Sequence, residues 1–398
     1  MKETIFKNAK LIDGRHVDIR VEGAHVNSIE PAAGTDGPGG DAIDLDGALV
    51  LPGFVEGHIH LDTSFYGDKW VAHRPCTNGF DVEERVRFQA ENMAKAAPMA
   101  ERARNQLDLC IGNGSLYMRS HVMVDGSVGL KSLEAILAVR EDYRDLIDIQ
   151  IVAFPQSGIL KSPGTAELLD EAIRLGADLV GGLDPASFDR DAQGHLDVVF
   201  GVAEKHGVDV DIHLHEAGTL GAFTIEEICR RTEALGMQGH VAISHAYGLG
   251  DLDRDGARRI GALLSRSGVA VMTNAPGAHN FPPIALLRSE GVTVFSGSDN
   301  IRDSWWPYGD GDMLRRAEII GYRSGYFTDA ELSSAFDVVT VGGAKALRLE
   351  AYEIEVGAPA TFVALQAEHV PEAVVAVPKK RLVFKNGRLI AENGQIVR

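Results

Sequence analysis

His58 and His60 lie two residues apart in GFVEGHIHLD, a third histidine stands at His213 in VDIHLHE, and an acid at Asp299 in SGSDN. On an extended chain that spacing turns both imidazoles to one face, so neighbouring pleats can present two nitrogens to one ion. Imidazole suits zinc and ferrous iron, and a carboxylate completes a site that keeps one position open for water. An H-x-H alone reads equally well as two core histidines bonded to backbone. His213 and Asp299, on two further strand-like segments, tip the reading to a divalent metal centre.

To bring these residues together the chain needs elements that converge. From about residue 53 to about residue 345, short β-branched segments alternate with longer amphipathic ones, the rhythm of repeated βα units around a parallel sheet. Eight strands are predicted, at 53–59, 116–124, 148–155, 178–185, 208–215, 240–247, 269–276 and 292–299. Between them, apolar residues recur at three- and four-residue steps in 132–146, 165–176, 223–236 and 253–268, which predicts helices. Eight such units fit a (β/α)₈ barrel, and no G-x-G-x-x-G follows the first strand to suggest a dinucleotide site. His58, His60, Gln156, His213, Glu216, His245 and Asp299 all fall at or just after the C-terminal end of a predicted strand, the rim where such barrels build active sites.

The two ends lack the βα rhythm. KETIFKNAKLIDG and RLVFKNGRLIAENG share a layout of short strands and Asn or Gly turns, so residues 1–52 and 350–398 are expected to form one small composite β-sandwich beside a catalytic barrel of 53–349. PAAGTDGPGGDAID (31–44) reads as a surface loop. A net charge of −18, from 39 basic and 57 acidic residues, would repel nucleic acid and anionic lipid. No apolar h-region opens the sequence and no run approaches a membrane span, so a cytoplasmic protein is expected. Cys76, Cys110 and Cys229 show no C-x-x-C spacing and read as reduced, buried small hydrophobes.

GFVEGHIHLD, DIQIVAFPQSG, VDIHLHE, ISHA and SGSDNIRDSWWPYG resemble, in order, the strand-end motifs of the cytosine deaminase and N-isopropylammelide amidohydrolase branch of the amidohydrolase superfamily. The resemblance runs through the barrel and into both terminal segments. It implies a distorted (β/α)₈ barrel of the TIM type, of α/β class, with a composite β-sandwich. It also implies one metal ion held by His58, His60, His213 and Asp299, zinc being the first expectation and iron the second. Glu216 would be the proton shuttle, His245 would orient the attacking water, and Gln156 would contact the substrate. LDPAS (183–187) stands where binuclear members place a carbamylated lysine, which favours a single ion. A divalent ion lowers the pKa of a bound water to about 7, so little base is needed, and Asp299 could take the proton. The expected reaction is hydrolytic loss of ammonia or an amine from a cyclic amidine carbon, with no partner beyond a small heterocycle and further copies of the chain in a homo-oligomer.

Phe154, Trp305 and Trp306 are candidates for an aromatic wall against a flat ring, and the loop 65–80 for a cap. His215 reads equally as a substrate contact or a structural hydrogen bonder, whereas His121 reads as a satisfied core histidine. His16, His25, His195, His206, His240, His279 and His369 read as surface or packing residues. Asn300 stands where cytosine deaminases have a second aspartate, while Thr63 and Glu216 match them. An amide both donates and accepts where a carboxylate only accepts, so a carbonyl-rich or N-substituted heterocycle is expected to suit this pocket better than cytosine. The competing functions are an N-alkylamino-triazine hydrolase and, from another class, a non-catalytic scaffold on the same barrel.

Overall fold

A computed structural model describes residues 3–32, 41–277 and 279–397. Eight parallel strands, Phe54–Ile59, Ser115–Met123, Asp148–Phe154, Leu179–Leu183, Asp209–His213, Val241–Ser244, Val269–Met272 and Val294–Phe295, hydrogen-bond in sequence order. The last returns to the first: the Gly57 N–H donates to the Ser296 carbonyl at 3.0 Å and the Asp299 N–H to the His58 carbonyl at 2.7 Å. The sheet thereby closes into a barrel. After the first, the strands are shorter at their C-terminal ends than the sequence predicts, because there the chain leaves the ladder to build the rim. His245 and Asp299 take φ of 74° and 60° at that point, a left-handed backbone that ordinary residues adopt at a cost of about 1–3 kcal/mol when tertiary contacts demand it.

The four predicted helices are Lys131–Tyr143, Thr165–Leu175, Gly218–Ala234 and Arg254–Arg266. The last illustrates their logic. The Asp253 carboxylate caps it by accepting from the Gly256 N–H at 2.7 Å, and Ala257, Ile260, Gly261 and Leu264 form its buried stripe. Burying side chains the size of Ile260 and Leu264 contributes about 1.5–3 kcal/mol each. Between the first two barrel strands lie the long loop 65–80 and two helices, Val82–Met93 and Met99–Gly112.

The barrel interior is layered. At the bottom Val55, Ala242, Ala270, Met272 and Phe295 form an apolar plug with Leu347 and Tyr352 from the segment beyond the last strand. Above it Arg119, at 1 % exposure, pairs with fully buried Asp211 at 2.9 Å. The histidines stand higher still, at the C-terminal rim.

Both termini contribute to a separate nine-stranded sheet, joined where Leu49–Pro52 pairs antiparallel with Phe362–Leu365. It has its own core, in which Phe6, Phe362 and Phe384 meet with ring centroids 4.9–5.0 Å apart. The turn at Asn386 and Gly387, with φ of 52° and 74°, matches the two-residue hairpin that reverses Arg381–Lys385 into Arg388–Glu392. The loop expected at 31–44 needs correction at its far end: Asp41–Asp44 is a strand paired in parallel with Glu3–Lys10. Residues 33–40 of that segment lie outside the described residues. Among the described residues no helix is long and apolar enough to cross a membrane.

Candidate active site

The first barrel strand delivers His58, and the turn after it His60; the fifth ends on His213, and Asp299 follows the eighth. Their side chains converge. His60 Nε2 lies 3.3 Å from His213 Nε2 and 3.4 Å from Asp299 Oδ1, which is also 3.5 Å from His58 Nε2. Donors held at zinc–nitrogen bond lengths around one tetrahedral ion stand about 3.3–3.4 Å apart, so these separations fit a common ion. His58 Nε2, which faces the cluster, is buried without a hydrogen-bond partner, an arrangement that costs free energy unless a ligand uses it. Burial drives His213 and His245 well below the usual histidine pKa and lowers His58, so these rings are neutral with lone pairs free. Burial pushes Asp299 up, but the neighbouring histidines, His245 foremost, outweigh it and hold the carboxyl well below its usual range. Burial would lower His60, yet Asp299 outweighs it and raises its pKa; three imidazoles and one carboxylate are a donor set that suits a divalent cation.

The cluster floors a cavity of about 1380 Å³. Gln156 lines it, and Phe154 stacks on His213 with centroids 4.0 Å apart and planes at 23°. His245 enters from the sixth strand and stacks on His215 at 4.6 Å and 22°. His215 is fixed in turn by Asp184, which accepts from its backbone N–H at 2.6 Å and contacts its Nδ1 at 2.8 Å. Burial would lower His215, yet Asp184 reverses this and raises its pKa. Trp305 and Trp306 both line the cavity, and the Trp305 indole N–H donates to Gln89 Oε1 at 2.5 Å, anchoring the wall to the helix Val82–Met93. Trp70, His73, Cys76 and Phe80, all from the loop 65–80, complete the mouth.

Glu216 is placed differently from the expectation. Its side chain is not in the cavity wall: Oε1 accepts from the Ala186 and Ser187 N–H groups at 2.7 and 2.8 Å, and Oε2 accepts from the Thr224 hydroxyl. Burial raises its pKa, and three hydrogen bonds engage both its oxygens away from the cavity.

Asn300 lines the cavity with its amide already oriented. Its Nδ2 donates to Asp303 Oδ2 at 2.6 Å, the same oxygen that accepts from the Thr63 hydroxyl at 3.2 Å, while Asp303 Oδ1 takes the Trp305 and Trp306 N–H groups at 2.8 and 3.0 Å. One of the two Nδ2 hydrogens is thereby committed to Asp303, which leaves the other N–H and the carbonyl oxygen for a ligand.

Other expectations also change. His279 is a packing residue, but one in the cavity wall: it stacks on Tyr247 at 5.2 Å and 15° and meets the Phe80 ring at 4.9 Å. Cys76 is half-buried in the cavity wall, unlike buried Cys110 and Cys229. His121 is buried as expected but not satisfied, since neither ring nitrogen has a partner. Asn274, which donates to Asp299 Oδ2 at 2.9 Å, and Asp184 were missed. Both end apolar runs, in VAVMTNAP and DLVGGLDP, so the rim argument would have found them.

Comparison with known proteins agrees with this architecture. The model of the amidohydrolase family matches residues 41–391. The chain is 35% identical to the N-isopropylammelide isopropyl amidohydrolase of Pseudomonas sp. (strain ADP), over 99% of this chain and 98% of that one. It superposes on the crystal structure of the N-isopropylammelide isopropylaminohydrolase of Burkholderia multivorans with a TM-score of 0.94 at 39% identity, covering 100% of both chains. A 5-methylcytosine deaminase of Klebsiella pneumoniae, liganded with 5-fluorocytosine, gives a TM-score of 0.86 at 28% identity over 98% of this chain and 97% of that one. This chain belongs to the amidohydrolase family, as a hydrolase of carbon–nitrogen bonds.

Proposed function

We propose that the protein removes an amine hydrolytically from a nitrogen heterocycle, with one divalent ion held by His58, His60, His213 and Asp299. The convergence of these donors at 3.3–3.5 Å on the floor of the cavity carries the reading. Zinc is the first expectation and iron the second. Bound there, the ion would supply a Lewis acid and a water of lowered pKa.

The chain's own residues do the rest. Asp299, kept ionised and held by Asn274, is the acceptor for a proton from the attacking water, and His245 orients that water. Phe154 and Trp305 bracket a flat ring, and Gln156 offers its amide to the ring edge. For proton delivery to the departing amine we assign His215, which lies in the cavity wall with Asp184 behind it, in place of Glu216, whose oxygens are engaged elsewhere.

One observation favours a substituted amine as the leaving group. The aromatic mouth built from Phe80, Tyr247 and His279 leaves room for an apolar substituent, while the Asn300 amide can pair with a ring carbonyl or an N–H. A secondary alkylamine on an oxygenated ring offers both, and the relatives that act on N-isopropylammelide are consistent with it.

The test is a panel of pyrimidine, pterin and hydroxytriazine amines, each as primary and secondary alkylamine, assayed for ammonia or alkylamine, alongside elemental analysis. Expected are one metal per chain and the highest kcat/KM on a secondary amine. Two tightly held ions, or no turnover by fully loaded protein across the panel, would overturn the reading, the latter in favour of a non-catalytic scaffold.

A further inference from the structure

Behind the metal cluster lies a hydrogen-bonded chain that joins four barrel strands. His58 Nδ1 is 2.9 Å from Ser244 Oγ, the Ser244 hydroxyl donates to Asp211 Oδ1 at 2.7 Å, and Arg119 Nη1 donates to Asp211 Oδ2 at 2.9 Å. His58, Ser244 and Asp211 are wholly buried and Arg119 is 1 % exposed. Arg119 is itself immobilised, donating to Gln150 Oε1 at 2.9 Å and to the Ala346 carbonyl at 3.0 Å.

We propose that Ser244, held by Asp211 and Arg119, sets the tautomer of His58 and so aims its Nε2 lone pair at the metal cluster. The inference rests on the metal reading above. Its logic is a count of hydrogens. The Asp211 carboxylate has none to give, so it must accept from both neighbours. Ser244 has one hydroxyl hydrogen, which is committed to Asp211, and therefore presents only lone pairs to His58. In a neutral ring, Nδ1 must then carry the hydrogen and donate to Ser244 Oγ, which leaves Nε2 bare. The opposite tautomer would set two lone pairs against each other at 2.9 Å and place an N–H where the cluster needs a donor atom. Consistent with this, Nε2 has no hydrogen-bond partner and sits 3.5 Å from Asp299 Oδ1.

The sheet register makes the chain possible. The fifth and sixth strands pair in parallel with His213 beside Ser244 and Asp211 beside Ala242. Asp211 thus points inward one pleat below His213, close enough to reach up to the serine. Below His58 the His121 ring lies 3.9 Å away at 30°, with no hydrogen bond of its own, so Ser244 is the partner that holds the hydrogen on His58 Nδ1. Ser244, Asp211 and Arg119 are in this sense positioning residues: they touch no substrate and act through His58.

The experiment has two arms. Histidine-selective ¹⁵N NMR of the metal-free native protein, with His58 assigned by comparison with His58→Gln, reads the tautomer directly; the Nδ1–H form is expected. Competition with a chromophoric chelator reads zinc affinity of native protein, Ser244→Ala and Ser244→Thr. Ser244→Ala should bind zinc about 10–100-fold more weakly, the usual scale for losing such a support, while Ser244→Thr, which keeps the hydroxyl, should stay within a few fold of native. An Nε2–H tautomer in native protein, or unchanged zinc affinity in Ser244→Ala, overturns the proposal. If Ser244→Ala does not fold, the native tautomer still decides. A native protein that takes up neither zinc nor ferrous iron overturns the metal reading itself, whatever the tautomer.

Discussion

Replacing Glu216 by Gln separates two accounts of proton transfer that the sequence motif alone would merge. In the native protein the Glu216 carboxylate accepts three hydrogen bonds, from Ala186, Ser187 and Thr224. A glutamine keeps one oxygen for the two N–H groups. Its amide can donate to the Thr224 oxygen if that hydroxyl swings its hydrogen fully to the Leu220 carbonyl, already 3.2 Å away. Bonds to a charged group are worth about 1.5–3 kcal/mol and neutral ones about 0.5–1.5, but the variant also sheds the desolvation of a buried charge. The net stability change should be within about 1 kcal/mol, the typical worth of one hydrogen bond. Glu216→Ala, by contrast, strands the two N–H groups, at about 1–3 kcal/mol each. On metal-loaded, folded protein, Glu216→Gln should keep kcat/KM within about tenfold of native, whereas His215→Asn should lose roughly 10²–10⁴-fold, the range for a general acid or base. Stopped assays at saturating and limiting substrate give both parameters. If Glu216→Gln loses a hundredfold or more in kcat with metal content intact, the carboxylate turns into the cavity during turnover and the assignment to His215 is wrong.

Asn300→Leu should lower kcat/KM for a secondary-amine substrate by about 5–150-fold, the equivalent of 1–3 kcal/mol for one unmatched polar partner; unchanged kcat/KM would remove Asn300 from the binding edge. Burial raises Asp303 from 3.8 to about 6, so between those values the native state keeps a proton that the unfolded chain has released, and stability falls as pH rises through that window. Urea unfolding from pH 4 to pH 6 should therefore show Asp303→Asn gaining on native protein by up to about 3 kcal/mol; parallel curves would refute the shift. Asp312 and Arg381 form a buried two-pronged ion pair, at 2.8 and 2.9 Å, between the terminal sheet and the loop after the eighth barrel strand. Asp312→Ala leaves the Arg381 charge unpaired and should cost about 3–5 kcal/mol in urea unfolding with metal content unchanged.

The barrel was legible in the sequence because its two periodicities are physical necessities. Strands covered by helices must be apolar along their whole length, and helices lying on them must be apolar at three- and four-residue steps. Polar residues that interrupt such runs at their ends can only lie at the rim, which is why His58, His60, His213, His245 and Asp299 were found from one dimension. The sequence also determined which chemistry was available, through residue type: imidazoles and a carboxylate for a cation, aromatic side chains for a flat ring.

Side-chain direction and hydrogen-bond commitment were decided only in three dimensions. Glu216 was read as a free acid because it follows His213 by three residues, yet the turn at Ala186 and Ser187 brings two N–H groups to it from a neighbouring strand end. Asn300 is able to donate and accept by its type, but that one of its amide hydrogens is taken by Asp303, itself held by Thr63 from 240 residues away, shows only in the fold. His279 carried no signal of its own, because its stacking on Tyr247 joins two rim loops that no periodicity relates. Pattern in a sequence reports which face of an element is buried; what a buried polar atom faces depends on partners that only closure of the barrel supplies.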